Sequence, residues 1–487
     1  MTSREATVHP MLKTLGYPVQ LARLRRMRHV ALLTSDLAML LVAFGLAALP
    51  SLAVNEWILK RPFLDVFGED TALRLIQFGG FGIGLVLWLL TRGHYRQRLP
   101  FWTEVKHIVL GCILMLLCDG FLMFALKVDF SRLWLVLTWM VSAAVLPLGR
   151  RVVAALLDAC GCWRIPVLIV GSGEEADDAS YALRSEPSLG YDILGTVPLS
   201  ALLDTVTGRS WAALYETHKA QLVVLALSSA ECVEDSDLIT DLVCEGLPFA
   251  IVPPLRGLPV LGFDRFYFFS HDIMMMMARN NLAQPMSRAL KFCFDFVVAV
   301  LLMVLLLPLF AVFAALIVKD GGPVLYGHRR IGCNGRPFTC LKFRTMVGDS
   351  DRILRELLER DPAVLAEWRS TFKLKNDPRV TRIGRFLRAS SLDELPQLLN
   401  ILRGEMSLVG PRPVTADELH KYGRDLAFYL QVRPGMTGLW QVSGRNDSSY
   451  DQRVRSDAWY VRNWSLWHDI AILAKTVPVV LRRVGAY

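Results

Sequence analysis

A chain of 487 residues that is 53 % hydrophobic is too apolar for an ordinary soluble protein, and its net charge of +9 calls for anionic partners. The length leaves room for two to four domains. The charge suits lipid headgroups and phosphorylated substrates, while the absence of a basic-aromatic module argues against nucleic acid.

Nine cysteines show no paired-ligand spacing, and buried reduced thiols are expected. Cys160-Gly161-Cys162 is too tight for a usual zinc knuckle. No cleavable signal peptide is evident ahead of the first apolar run.

Residues 1–28 read as a cytoplasmic segment ending in Arg23, Arg25, Arg26 and Arg28. Four apolar runs follow, at 29–52, 73–91, 108–126 and 133–149, each near the length needed to cross a bilayer as a helix. Arg92, Arg96, Arg98 and Lys106 lie between the second and third runs, and Arg150 and Arg151 follow the fourth. If every run spans, these clusters share the side of the first, so both ends of the block 29–150 are cytoplasmic. Asp36 and Asp119 lie in or near the runs, as functional groups or as helix-interface partners.

Residues 151–275 read as a Rossmann-like α/β domain, with strands expected at 165–170, 222–227 and 249–252. Gly171-Ser172-Gly173-Glu174-Glu175-Ala176 has the GxGxxA form of a dinucleotide turn. The acidic residue such a fold needs at the end of its second strand is missing: Asp192 comes too early, and Thr196-Val197-Pro198 occupies the place. A structural or assembly domain is therefore expected over a nucleotide-binding one.

The region 276–487 opens on an uncharged run at 297–318 with Pro308 at its centre. Arg279, Arg288 and Lys291 precede it, and Lys319, His328, Arg329 and Arg330 follow. Basic flanks on both sides argue against a crossing. A helix bent at Pro308, over about 291–318, that enters one leaflet and returns to the same face fits better. Beyond it, Lys342 and Arg344 alternate with apolar neighbours as strand residues on one face would, a surface able to hold a diphosphate. Arg379, Arg382, Arg385 and Arg388 recur every three residues, predicting an amphipathic helix with a basic stripe. Asp393-Glu394 follows at once. Asp393 lies near enough to cations to stay ionised, as a nucleophile must, and Glu394 suits a divalent cation. Gly410-Pro411-Arg412-Pro413 reads as a rigid loop presenting Arg412, while Trp459, Trp464 and Trp467 suit either an interface belt or the core.

The stretches GGPVLYGHRRIG, LKFRTM, KLKNDPRVTRIGRFLRASSLDELPQLLNIL, GEMSLVGPRP and RPGMTGLWQVSGRN resemble, in order, the bacterial sugar transferase family of monotopic phosphoglycosyl transferases. The similarity covers some 200 residues, and the preceding region resembles the long subclass, in particular undecaprenyl-phosphate galactose phosphotransferases. The resemblance implies that Asp393 attacks the β-phosphate of a UDP-hexose, expels UMP and forms a phosphohexosyl-aspartate, which undecaprenyl phosphate then resolves. It implies that Asp393 and Glu394 hold Mg²⁺ and that Lys342, Arg344, Arg388 and Arg412 hold phosphates. It also places Asp457 near the site, makes Pro308 the helix-breaking proline of the hairpin, and implies a homodimer. Leu307 stands where the family usually has a serine.

The expected architecture is membrane α plus α/β. It combines a four-helix transmembrane bundle, a Rossmann-like domain, and a monotopic catalytic domain with a re-entrant hairpin and amphipathic interfacial helices. The expected enzyme lies in the bacterial inner membrane with its catalytic domain in the cytoplasm. It transfers galactose 1-phosphate, or alternatively glucose 1-phosphate, to start a surface polysaccharide. A non-catalytic nucleotide-sugar sensor or scaffold is the rival reading. A nicotinamide-dependent epimerase needs a Tyr-x-x-x-Lys pair beside a full dinucleotide fold; Tyr215 and Lys219 have that spacing, but the missing acidic end of the second strand disfavours the reading.

Overall fold

A computed structural model describes residues 16–57, 70–127, 131–199, 211–228, 242, 247–253, 263–267, 274–278, 282, 284–361, 364–365, 368, 374, 377–443 and 450–481. Residues 1–15, the charged loop at 58–69, the loop at 254–259, Arg279, residues 444–446 of the GRN motif and the tail at 482–487 lie outside them. The chain forms two compact units, Met1–Pro254 and Leu255–Tyr487.

The first unit begins with α1 (Gly16–Trp57), α2 (Asp70–Thr91), α3 (Phe101–Leu126) and α4 (Arg132–Ala159). Uninterrupted apolar sequence lets each helix run long, and Pro50 and Pro147 lie inside α1 and α4 without ending them. Ser131 caps α4, its side chain accepting from Trp134 N–H. The four helices pack on one another around Leu40, Phe78, Leu85, Ile108, Trp139 and Leu146. Their outward faces are apolar too: Ile76 is 71 % and Phe124 83 % exposed. Continuous exposed apolar surface of this kind marks a face that does not meet water. All four helices, and α7 below, are long and apolar enough to cross a membrane.

Next come β1 (Ile165–Val170), α5 (Gly173–Ser185), β2 (Tyr191–Val197), α6 (Trp211–His218), β3 (Leu222–Leu225) and β4 (Phe249–Ile251). The strands form a parallel sheet in the order β2-β1-β3-β4. Alternate residues of β1 fill opposite faces, as the pleat requires. Val167 and Ile169 pack on Ala176 and Ala179, whereas Leu168 and Val170 pack on Trp211 and Tyr215. The glycine turn has a packing reason: a Cβ on Gly171 would lie 2.0 Å from the Ala226 carbonyl oxygen. Glu174 and Glu175 occupy the first turn of α5, where a dinucleotide pyrophosphate would need the positive helix end.

The second unit contains an antiparallel pair, β5 (Phe263–Tyr267) and β6 (Met274–Ala278), and then α7 (Pro285–Val318). Helix α7 continues across Pro308. Val297, Leu301, Val304 and Leu305 are exposed, while Val298, Leu302, Leu306 and Phe310 pack against the rest of this unit's fold. Both ends of α7 are tied to that fold. Lys291 Nζ lies 2.8 Å from Asp469, and Asp295 accepts from Ser407 Oγ at 2.7 Å. At the far end Arg344 Nη2 donates to Ile317 O at 3.1 Å.

The fold continues through β7 (Leu325–Ile331), β8 (Pro337–Phe343), α8 (Ser350–Arg360), α9 (Arg382–Ala389), α10 (Gln397–Leu402), β9 (Ser407–Val409), α11 (Leu426–Gln431), β10 (Gly435–Thr437), α12 (Leu439–Val442), α13 (Tyr450–Arg462) and α14 (Leu466–Leu481). β7 and β8 form an antiparallel hairpin, and β9 and β10 a short parallel pair.

The predicted four-arginine helix is shorter than its spacing implies. Thr381 caps α9 by accepting from Gly384 N–H at 3.0 Å, so the helix starts at Arg382. Arg379 lies before the cap, buried and paired with Asp377 at 2.6 Å. Pro378 and the cap fix this break. Of the three tryptophans, Trp464 is buried and donates to Asp469, Trp459 is exposed, and Trp467 is half-buried.

Candidate active site

The Leu392-Asp393-Glu394-Leu395 sequence folds as a single 3₁₀ turn. Its two leucines join a core with Phe313 and Ile317 of α7, Phe343 of β8 and Leu387 of α9. Anchoring the apolar residues leaves the intervening carboxylates partly exposed. Ser391 enters the turn at φ 55°, in the left-handed region, a conformation costing a non-glycine residue roughly 1–2 kcal/mol. Such stored strain is common where a chain must aim functional groups.

Strand β8 brings Lys342 to the carboxylates. Its Nζ lies 2.8 Å from Glu394 Oε1 and 3.9 Å from Asp393 Oδ2. Burial works against the Lys342 charge, but Glu394 and then Asp393 more than offset it and raise its pKa. The Asp393 carboxyl meets opposing influences. Burial raises its pKa above the ordinary aspartate value, and the attraction of Lys342 and Arg388 only partly opposes this. Proximity to cations was visible in the sequence, whereas the desolvation that outweighs it comes from the fold.

Arg388 reaches the site from α9 and donates through Nε to Thr345 Oγ1 at 2.9 Å. Thr345 also accepts from Thr381 N–H through its carbonyl, and a Cβ on Gly384 would lie 2.1 Å from that oxygen. Gly384 thus lets α9 sit directly on the end of β8. Arg344 donates through Nη2 to Ile317 O, its Nη1 would lie 2.1 Å from a Cβ on Gly322, and its Nε and Nη1 are buried without a hydrogen-bond partner among the described residues. It secures the exit of α7.

The Gly410–Pro413 loop leaves β9 beside β10, where Gly410 N–H donates to Thr437 O at 2.9 Å and Gly435 N–H to Pro411 O at 2.8 Å. Arg412 is exposed to the cleft and lies within Coulombic range of Arg453, Glu394 and Arg330. Asp457 is buried beneath it. It accepts from Tyr422 Oη at 2.8 Å and from the Arg412 backbone N–H. Burial raises its pKa to about 6. Asp457 therefore positions the Arg412 loop from below.

The structure thus brings Lys342, Asp393 and Glu394 into direct contact, sets Arg388 and Arg412 within electrostatic range, and places Arg344 at the foot of α7. It adds residues that sequence reasoning missed. Asn400, fully buried, accepts from Leu341 N–H at 3.0 Å and donates to Thr339 O at 2.8 Å, fixing the strand that carries Lys342. A lone amide inside Leu398-Leu399-Asn400-Ile401-Leu402 was the available signal. Tyr422 and Arg453 had none.

The cleft offers hard oxygen donors. Among the described residues no group of three or more His, Cys, Asp or Glu gathers as a metal cage. Two adjacent carboxylates fit magnesium, which binds through one or two carboxylates together with water and substrate phosphate.

A model of the bacterial sugar transferase family matches residues 286–483, and one described as a CoA-binding domain matches residues 91–230. The chain is 43 % identical over 459 residues to an undecaprenyl-phosphate galactose phosphotransferase of Salmonella typhimurium, covering 92 % of this chain and 96 % of that protein. It is 44 % identical over 408 residues to a UDP-galactose-lipid carrier transferase of Erwinia amylovora, covering 82 % and 85 %. It is 55 % identical over 205 residues to the exopolysaccharide production protein ExoY of Sinorhizobium fredii, covering 42 % and 91 %. The chain belongs to the bacterial sugar transferase family.

Proposed function

We propose that this protein transfers hexose 1-phosphate, and specifically galactose 1-phosphate, from a UDP-hexose to undecaprenyl phosphate, releasing UMP and initiating a surface polysaccharide. The names of the relatives that align over most of the chain support the reaction class and the sugar. The observation that carries the mechanism is the 3₁₀ turn that buries Leu395, packs Leu392 against the same core and presents Asp393 and Glu394 to Lys342.

In this reading Asp393 attacks the donor's β-phosphorus, the bridging oxygen leaves with UMP, and the phosphohexosyl-aspartate is resolved by the lipid phosphate. Lys342 steadies the carboxylates before substrate enters and then meets phosphate oxygens, as do Arg388 and Arg412. Asp393 and Glu394 would hold magnesium, which when bound neutralises phosphate charge. The raised pKa of Asp393 makes ionisation, and so attack, depend on pH.

The catalytic fold works at the cytoplasmic face of the inner membrane. The basic flanks of the apolar helices support that side. A straight helix of 34 residues would be about 51 Å long, yet both ends of α7 are bonded to the same fold. This supports a helix that dips into one leaflet and returns, with Pro308 relieving its course.

The test is UMP release from UDP-galactose and from UDP-glucose, each with Mg²⁺ and undecaprenyl phosphate, by wild type and Asp393→Asn. Release from UDP-galactose that disappears with Asp393→Asn is expected. Release from UDP-glucose alone would replace the sugar, and equal release by the variant would remove Asp393 from the mechanism. Absence of release from any UDP-sugar by folded protein would favour a scaffold.

A further inference from the structure

Within Coulombic range of Arg412 lies a cation that the mechanism above does not use. Arg453, on α13, is 7 % exposed. Its Nε and Nη2 are buried and have no hydrogen-bond partner among the described residues. The guanidinium lies 5.3 Å from the ring centre of Trp440 and 5.1 Å from that of Tyr450. These rings offset part of its desolvation but accept none of its in-plane protons. Arg412 lies 5.9 Å from the centre of the same Trp440 ring and within Coulombic range of Glu394. Two guanidiniums therefore share one aromatic ring, one of them buried with unsatisfied donors. Buried donors are normally satisfied, and leaving them unpaired is unfavourable. Asp457 and Glu418 lie within Coulombic range of both arginines but accept from neither Nε nor Nη2 of Arg453, so an anion between Arg412 and Arg453 would supply the unmet hydrogen bonds.

The two ends of the site differ in their surroundings. The leucines of the Asp393 turn pack on Phe313 and Ile317 of the apolar helix α7. The packing around Val414, Tyr422, Tyr429 and Val454 at the arginine end includes no residue of α7. A lipid phosphate tethered at the apolar helix would approach the first end, leaving the second to a water-soluble partner.

We infer that Arg453, with Arg412, forms the subsite for the nucleotide phosphate of the donor, the phosphate that leaves as part of UMP. This rests on the proposed reaction. In the first step an Asp393 carboxylate oxygen bonds to the β-phosphorus, and the bond from that phosphorus to the bridging oxygen breaks. The electron pair stays on the bridging oxygen, which becomes a terminal oxygen of the UMP phosphate dianion. Arg453 donates to that phosphate from the floor of the cleft and Arg412 from its mouth. Their charges stabilise the group on which negative charge accumulates as the bond breaks.

The experiment uses the full-length chain in lipid nanodiscs. UMP binding is titrated on Asp393→Asn, with and without Arg453→Gln, so that affinity is read without turnover. KM is then measured for the UDP-hexose and for undecaprenyl phosphate with Arg453→Gln and Arg453→Lys in the wild-type background. Arg453→Gln should weaken UMP binding roughly 10- to 100-fold and raise KM for the donor. KM for the lipid should stay unchanged, and Arg453→Lys should recover part of the loss. Unchanged UMP affinity overturns the assignment, and so does a KM shift confined to undecaprenyl phosphate. If Arg453→Gln does not fold, Arg453→Lys decides alone: weakened UMP binding at wild-type thermal stability supports the subsite, and unaltered binding rejects it. UMP binding that requires Arg453 in a protein that turns over no UDP-sugar would retain the subsite while removing the reaction.

Discussion

Buried charges in two regions of this chain are finished to different degrees. Among the apolar helices, Asp119 accepts from both terminal nitrogens of Arg74 at 2.6 and 2.7 Å, from Gln77 at 2.7 Å and from Trp139 at 2.9 Å. Asp36 likewise accepts from Arg150 and from Tyr95, and Arg150 turns its remaining nitrogen to Glu104 and His94. In the catalytic fold Lys342 is held by two carboxylates, while two buried nitrogens of Arg453 have no partner among the described residues. The first group is saturated by its own hydrogen bonds, which fits a role in fixing helix packing. The second is incomplete until an anion arrives. For buried charge, saturation of the hydrogen bonds separates structure from function better than burial does.

That contrast predicts opposite kinds of damage. Asp393→Asn should lower UMP release by at least about 10⁴-fold while leaving the thermal unfolding midpoint near that of wild type; appreciable turnover would place the nucleophile elsewhere. Arg74→Met should do the reverse. Stranding Asp119 should cost about 3–5 kcal/mol of stability, seen as a lower midpoint and yield, with activity per folded molecule retained. The double variant Arg74→Met/Asp119→Leu should recover most of the loss. If it does not, the pair has a role beyond packing.

Asn400→Leu should fall between these extremes. It leaves Leu341 N–H and Thr339 O without their side-chain partner, so a stability loss of about 1–3 kcal/mol is expected, together with reduced turnover because Lys342 is carried by the same strand. An unchanged KM and midpoint would show that β8 holds its register without the amide.

The smallest effect is a shift in pH profile. The Asp393 pKa is raised, so the acid limb of kcat/KM should lie above the ordinary aspartate value, activity falling as protonation removes the nucleophile. Lys342 opposes that rise; Lys342→Gln should move the limb to higher pH. A limb that stays in place in the variant would mean that Lys342 does not govern the ionisation of Asp393.

Much of this was legible in the chain itself. The strand at Ile165–Val170 is marked by a short β-branched run before glycine, and Asp393-Glu394 stands out beside regularly spaced arginines. Local pattern was less reliable where a cap intervenes: three-residue spacing joined Arg379 to the helix, but Thr381 starts α9 after it. Alternation with Lys342 suggested a phosphate role for Arg344; its Nη2 bonds to a carbonyl at the end of α7, while its buried Nε and Nη1 have no partner among the described residues and leave that role open. Arg453 and Tyr422 gain their meaning from Arg412, Trp440 and Asp457, which only tertiary folding brings near them.

The central claim is that Asp393 forms a covalent intermediate, and it can be tested without the lipid acceptor. Wild-type protein mixed with UDP-galactose and Mg²⁺ alone should release close to one UMP per active site, and mass spectrometry should find one hexose phosphate on the peptide bearing Asp393. UMP release that requires undecaprenyl phosphate from the start, with no adduct on that peptide, would contradict the account and indicate direct transfer between the two substrates.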